Sequence, residues 1–144
     1  MVGRGPRYVP ILRTKPAEWD ALCALTPDVR EVVTPCLQVL PRELHLDDPM
    51  GSTGLRRAFQ RLAMKIGRTW GSTPAFVDFS RIASSVRSDH GEHPVALLGR
   101  AARAVGIKPI VALTLHDDVA FQLALRESVE IHNLGVAGRC PATC

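Results

Sequence analysis

The chain has 144 residues, of which 46% are hydrophobic and 22% charged, the length and composition of one globular domain. No apolar run approaches the ~20 residues of a membrane span, and residues 1–7, which we expect to be disordered, lack the apolar segment of a secretory signal. The net charge of +4 would suit nucleic-acid binding, but no nucleic-acid motif accompanies the basic residues. We therefore expect a single cytoplasmic domain over residues 1–144 that binds neither membranes nor nucleic acid.

Four short apolar runs begin with a proline at or near their first residue, and each leads towards a helical pattern. The runs cover residues 8–12, 34–39, 73–79 and 108–113, and their prolines are 25, 39 and 35 residues apart. This spacing is typical of successive strand–helix units. Continuous apolar runs favour strands buried on both faces, as in a parallel sheet, and a strand tolerates proline at its first residue.

Amphipathic patterns predict helices between and after these runs. The first helix begins at Pro16, and a short second piece restarts at Pro27. Pro94 opens a later helix that Gly106 ends. The apolar stripes expected to face the sheet are Leu55, Phe59, Leu62 and Ile66, then Val95, Leu98, Ala102 and Val105, then Phe121, Leu125 and Val129. A fifth strand is predicted to start near Val136.

The predicted loops differ in length between the two ends of the strands. Helix-to-strand connections are short, whereas two strand-to-helix connections are long, from Leu40 to Gly54 and from Ser80 to His93. In α/β folds the strand-to-helix loops gather at the carboxyl ends of the strands, where ligands bind. The pattern predicts an α/β fold of four consecutive βα units with parallel strands.

Several motifs resemble the opening of the phage-type "beta protein" family between about Tyr8 and Arg126. They are Tyr8-Val9-Pro10-Ile11-Leu12-Arg13-x-Lys15-x-x-Glu18, Leu25-Thr26-Pro27, Thr34-Pro35, Trp70-Gly71-x-x-Pro74-Ala75-Phe76-Val77-Asp78 and Asp89-His90-Gly91-x-His93-Pro94. The resemblance implies a TIM-barrel-like fold, of which this chain would be the amino-terminal half. It implies no particular reaction.

Two features depart from the family pattern. Gln38 stands where the family usually has an acidic residue in the second strand, and residues 138–144 do not read as a continued strand. Family members are also about twice this length. We therefore expect an incomplete, truncated barrel.

Side-chain alternation places one polar residue at the carboxyl end of each strand, on a common face. These residues are Arg13, Gln38, Asp78 and Thr114, with Lys15 just beyond the first strand and His116 beyond the fourth. Asp78, Lys15 and His116 are the candidate catalytic residues, with Asp78 as a general base and Arg13 and Lys15 as an anion clamp. Arg13, Gln38 and Thr114 are the candidate ligand-binding residues. The alternative is that Asp78 and an arginine form a buried structural pair.

The segment from Asp89 to His93 resembles a metal box, but Pro94 indicates that His93 caps the following helix. We expect no metal and no cofactor. Cys23 and Cys36 read as small buried residues, and Cys140 and Cys144 as free thiols.

The sequence leaves three functions open. The first is ligand or anion binding at the carboxyl ends of the strands, with or without catalysis. The second is a non-enzymatic phage or anti-phage interaction scaffold, and the third is a non-functional truncated copy. Partners cannot be named from the sequence, but the open edges of a half barrel predict self-association.

Overall fold

A computed structural model describes residues 8–46, 51–113, 119–132 and 135–138, and within them five parallel strands form one sheet in chain order. The strands are β1 (Ile11–Arg13), β2 (Cys36–Gln38), β3 (Ala75–Asp78), β4 (Pro109–Leu113) and β5 (Gly135–Gly138). The helices are α1 (Pro16–Cys23), α2 (Pro27–Val32), α3 (Gly51–Thr69), α4 (Pro94–Val105) and α5 (Val119–His132), and a 3₁₀ helix spans Pro41–Leu44. The predicted α/β class is confirmed, whereas the half-barrel form stays a prediction.

The prolines lie at the amino ends of the strands, as expected. Pro10, Pro35 and Pro74 each precede a strand directly, and Pro109 begins β4. The carbonyl groups of two of them still accept hydrogen bonds from the next strand. Pro10 O accepts from Cys36 N over 2.8 Å, and Pro35 O accepts from Phe76 N over 2.8 Å. Each proline therefore omits only its own donor and keeps its place in the backbone pairing.

The hydrophobic core lies between the helices and one face of the sheet. Leu37, Val77 and Val111 are paired across β2, β3 and β4, and all three belong to the core cluster. The helical stripes of α3 and α4 meet these residues, and α3 packs on α4, which packs on α5. Because every connection moves the chain one strand onward, right-handed crossovers place the helices on the same side of the sheet.

Most predicted inward positions are buried, but some are not. Val105 and Val129 are exposed at the ends of their helices, and Cys23, which we expected to be buried, is exposed at the end of α1. A 3.6-residue repeat drifts off a straight contact line, so terminal positions lose contact with the sheet first. Residues 51–54, expected in a loop, belong to α3.

The opposite face of the sheet carries the strand residues that do not join the helix-side core. We call it the open face. Ile11 is 51% exposed and Phe76 is half-buried, while Gln38 and Asp78 are 8% and 2% exposed. The residues of the open face are Ile11, Arg13, Cys36, Gln38, Phe76, Asp78, Ile110 and Ala112.

Both ends of α4 are capped as the sequence predicts. His93 is the N-cap of α4, and its Nδ1 accepts from Val95 N at 3.1 Å, which confirms the predicted capping role. Gly106 follows α4 with φ of 87°, a left-handed conformation that glycine adopts without strain.

No helix in the described ranges is long and apolar enough to cross a membrane. Residues 1–7, Cys140 and Cys144 lie outside the described residues.

The side chain of Arg30, on α2, links α1, α2 and α3 near the amino ends of the strands. Its guanidinium donates to the carbonyl oxygens of Leu22, Leu25 and Thr69 over 2.9–3.3 Å and stacks 5.1 Å from the ring centre of Trp70. Leu22 and Thr69 lie in the last turns of α1 and α3, where carbonyl groups have no partner within the helix, and Leu25 lies just after α1. One side chain thus satisfies the ends of two helices.

We predict that Arg30→Lys destabilises the fold by about 1–3 kcal/mol, because an ammonium cannot replace the planar fork on three carbonyls and an aromatic ring. Urea unfolding followed by circular dichroism measures the change. The matched control is Arg103→Lys on the exposed side of α4, for which we expect about 0.5 kcal/mol or less. Equal losses for the two variants would contradict the proposed role of Arg30.

Candidate functional site

The strand register aligns three of the predicted site residues. Arg13 is paired with Gln38 across β1 and β2, and Gln38 with Asp78 across β2 and β3. Each is the last residue of its strand, so the three lie in one row at the carboxyl ends, on the open face. The structure thus brings together Arg13, Gln38 and Asp78, as side-chain alternation predicted.

Asp78 and Gln38 form a buried polar pair at the centre of this row. Gln38 Nε2 donates to Asp78 Oδ2 over 3.3 Å, and Ser80 N donates to Asp78 Oδ1 over 2.8 Å. The second bond closes a turn at the end of β3, because it joins the carboxylate to the backbone two residues later. Asp78 therefore orients both the Gln38 amide and the loop that leaves β3.

The two cations lie at the solvent side of the row. Arg13 and Lys15 are exposed, and Lys15 is the N-cap residue of α1. Glu18 turns back from α1 towards both: its Oε1 lies 3.7 Å from Lys15 Nζ, and its Oε2 accepts from the backbone N–H of Arg13. A carboxylate of the chain itself thus lies beside the proposed anion clamp.

Sequence reasoning missed two residues at this site. Thr14 is buried, its N–H donates to Gln38 O over 3.0 Å, and its Oγ1 accepts from Leu40 N over 2.9 Å. It therefore joins the ends of β1 and β2. The sequence pattern places Glu18 in the first turn of α1 and assigns it no role at the site. Its spacing of three from Lys15 was the available signal, since residues three apart are neighbours on a helix.

Thr114 and His116 lie outside the described residues. They follow Leu113, the last residue of β4, in the sequence. Their roles as ligand-binding residue and acid–base residue stay predictions.

The loop before α4 is tied to two helices by Glu92. Its Oε1 lies 2.5 Å from Arg56 Nη2 on α3, and its Oε2 lies 2.7 Å from Arg100 Nη2 on α4. The hydrogen bond from Arg56 lowers the pKa of Glu92 below its ordinary value of 4.5, and the charge of Arg100 adds to this effect against the opposing effect of burial. The same bond raises the pKa of Arg56. We call this group the Glu92 clasp.

The segment that resembled a metal box folds as a turn around Ser88. Ser88 Oγ accepts from His90 N and Glu92 N, and Gly91 has φ of 77°. With Glu92 paired to arginines and His93 capping α4, these side chains already have other partners. Among the described residues, no group of three or more histidine, cysteine, aspartate or glutamate side chains could hold a metal ion.

A pocket of about 290 Å³ lies at the other end of the sheet, between the carboxyl ends of α3 and α4. It does not coincide with the row of polar strand ends. Gly67 allows the close approach of the two helices, because a Cβ there would lie 3.3 Å from Val105 Cγ1. The pocket is lined by Met64, Gly67, Arg68, Gly71, Ser72, Val105, Gly106 and Ile107.

Four basic residues form a stripe along α3: Arg57, Arg61, Lys65 and Arg68. Arg57, Arg61 and Arg68 are exposed to solvent. Lys65 instead lies over the Trp19 ring, 5.4 Å from its centre, with Glu43 Oε1 3.3 Å away. The stripe is therefore partly a structural contact between α1, α3 and the 3₁₀ helix.

Comparison with known protein families identifies a match over nearly the whole chain. A family model described as Beta protein matches residues 8–143, nearly the whole chain. No curated protein matches the chain, and no solved structure matches it.

We predict that Glu92→Gln lowers the urea midpoint at pH 7, because the amide loses both charge-assisted contacts of the clasp. The lowered pKa gives the pH dependence: stabilisation by Glu92 is present above pH 4.5 and is lost as pH falls through the lower pKa of the folded state. The difference between wild type and variant should therefore shrink towards pH 3. Glu31→Gln, an exposed glutamate on α2, is the control. A midpoint difference that stays constant from pH 7 to pH 3 would exclude an ionic role for Glu92.

Proposed function

Because the chain belongs to the beta protein family, and the family match assigns no reaction, we propose a function from the site itself. We propose that the carboxyl ends of β1, β2 and β3 bind a small ligand that carries an anionic group. One observation carries this proposal. The buried Gln38–Asp78 pair lies on the face away from the helix-side core, in register with the exposed Arg13.

The cations supply the affinity in this proposal. The guanidinium of Arg13 can hold a carboxylate or phosphate with two parallel hydrogen bonds, and Lys15 adds a second charge at the rim. A bound anion takes the place of Glu18 beside Lys15. The ligand therefore competes with a carboxylate of the chain, which favours a phosphate group over a single carboxylate because it carries more charge.

The polar pair supplies orientation. A buried amide held by a carboxylate presents its remaining groups in a fixed direction, and such fixed groups give specificity more than affinity. Asp78 is the proposed general base, and Thr114 and His116, which follow β4 in the sequence, are the further proposed ligand-binding and acid–base residues. Both carboxylate oxygens of Asp78 already accept hydrogen bonds within the chain. Binding is therefore the primary proposal, and catalysis depends on it.

A second candidate function is an interaction scaffold of phage-related biology. One observation favours it: Tyr8, Val9 and Ile11 are 62%, 40% and 51% exposed in the segment that leads into β1. Contiguous exposed apolar residues are typical of protein–protein contacts. A scaffold needs this strand and not the charges of Arg13 and Lys15.

We predict that inorganic phosphate, titrated into the ¹⁵N-labelled chain and followed by NMR, shifts the amides of Arg13, Lys15 and Gln38. Arg13→Ala and Lys15→Ala should each weaken binding by roughly tenfold, because each removes a charged contact to the anion. Arg103→Ala, which removes an exposed charge on α4, is the matched control and should leave the titration unchanged. Equal weakening by all three variants would show non-specific attraction to a basic protein.

We predict that Asp78→Asn abolishes phosphate binding and leaves the helical circular-dichroism signal intact. The asparagine side chain has one acceptor oxygen where the carboxylate has two, so it cannot replace both contacts, to Gln38 and to Ser80. The Gln38 side chain therefore loses its orientation. Urea unfolding of the same variant separates a role of Asp78 in ligand binding from a structural role. Loss of the fold, with binding retained in the fraction that stays folded, would identify Asp78 and Gln38 as a structural pair.

A further inference from the structure

Among the described residues, β1 is paired with another strand on one side only. The backbone groups that face β2 belong to alternate residues: Tyr8 N donates to Val32 O, Tyr8 O accepts from Thr34 N, and Thr14 N donates to Gln38 O. In a parallel strand the N–H and C=O of one residue point to the same side. Val9, Ile11 and Arg13 therefore direct their backbone groups away from β2, and these groups form the free edge of β1.

Only one end of this free edge is covered in the described structure. The N–H of Arg13 donates to the carboxylate of Glu18, which folds back from α1, and the carbonyl of Arg13 accepts from Lys15 N over 2.9 Å. No described residue accepts from the N–H of Val9 or Ile11. Both residues also have exposed apolar side chains, at 40% and 51%. Proteins commonly protect such an edge with a charge, and here the charge of Glu18 protects only its carboxyl end.

The other edge of the sheet has the matching polarity. β5 is paired with β4 in parallel and has no second strand partner in the described ranges. Because all five strands point the same way, β5 of a second copy can lie beside β1 in parallel, with both helical layers on the same side. An antiparallel contact between two β1 strands would leave both β5 strands unpaired.

We propose that the free edge of β1 binds β5 of a second copy of this chain through parallel backbone hydrogen bonds. The contact extends the sheet and covers the exposed side chains of Val9 and Ile11. The contact is head-to-tail, so two copies leave no unpaired edge when a twofold axis parallel to the strands closes their two sheets into one ring. This closed dimer is the assembly that we propose. This proposal can be tested apart from the ligand site, because it requires the backbone of β1 and not the side chains of Arg13 or Lys15.

The first test measures association and its location in the wild-type chain. Sedimentation velocity over a concentration series should show a shift from monomer to dimer. Hydrogen–deuterium exchange at the two ends of the series should show new protection in both residues 9–11 and residues 135–138 of the dimer. A monomer at all concentrations would overturn the proposal. Protection in β1 without protection in β5 would also overturn it, in favour of a contact between two β1 strands.

Variants at Ile11 test the backbone contact directly. Ile11→Pro removes the N–H on the free side and leaves the bonds from Tyr8, Pro10 and Thr14 to the β2 region in place. We expect the dimer dissociation constant to rise by roughly tenfold or more. Ile11→Val keeps the N–H and should retain the dimer. Equal dimerisation of the two variants would overturn the proposal. If Ile11→Pro unfolds, Val9→Lys gives the same test, because it adds a charge to the edge without changing the backbone.

Glu18 provides a test in the opposite direction. Glu18→Ala frees the N–H of Arg13 for a third edge residue, so we expect tighter association than in wild type. Glu18→Gln keeps an oxygen acceptor at the same position and should behave as wild type does. Association that is unchanged or weaker in Glu18→Ala would contradict the assignment of the interface to this edge.

Discussion

The parallel hydrogen-bond ladder governs how this molecule is arranged. Parallel strands in chain order require each helix to cross back over the sheet, and right-handed crossings that always advance in one direction keep the helices on one face. That face becomes the core. The other face and both edges are left without helical cover. The candidate ligand site and the candidate interface both lie on these uncovered surfaces.

Much of the fold follows from local patterns in the sequence. The proline-led runs locate the strands because a strand tolerates proline at its first residue. The spacing of Leu55, Phe59, Leu62 and Ile66 locates the buried stripe of α3. Periodicity could not show where a stripe ends, because that depends on what packs against the helix. Val105 was therefore predicted wrongly: it is 40% exposed and lines the pocket between the carboxyl ends of α3 and α4.

The sequence predicts which residues of the candidate site lie in one row, but not which contacts they make. Alternation placed Arg13, Gln38 and Asp78 on one face because the strand period is two. The bond between Gln38 and Asp78 required the register of β2 against β3, which no local pattern contains. The same holds for Arg30 and Thr69, which are distant in the sequence and meet only when α2 docks against the end of α3. Contacts that depend on tertiary placement lie beyond a single sequence.

Arg13 connects the two uncovered surfaces physically. Its side chain belongs to the proposed anion clamp, while its backbone N–H belongs to the free edge of β1 and is bonded to Glu18. Glu18 in turn lies beside Lys15, so the carboxylate that protects the edge also occupies the clamp. An anion that displaces Glu18 from Lys15 also weakens its hold on the N–H of Arg13 and makes the edge more available. Thermodynamic linkage then requires the reverse effect: pairing at the edge, which removes the backbone partner of Glu18, must change the affinity of the clamp for its anion by the same factor.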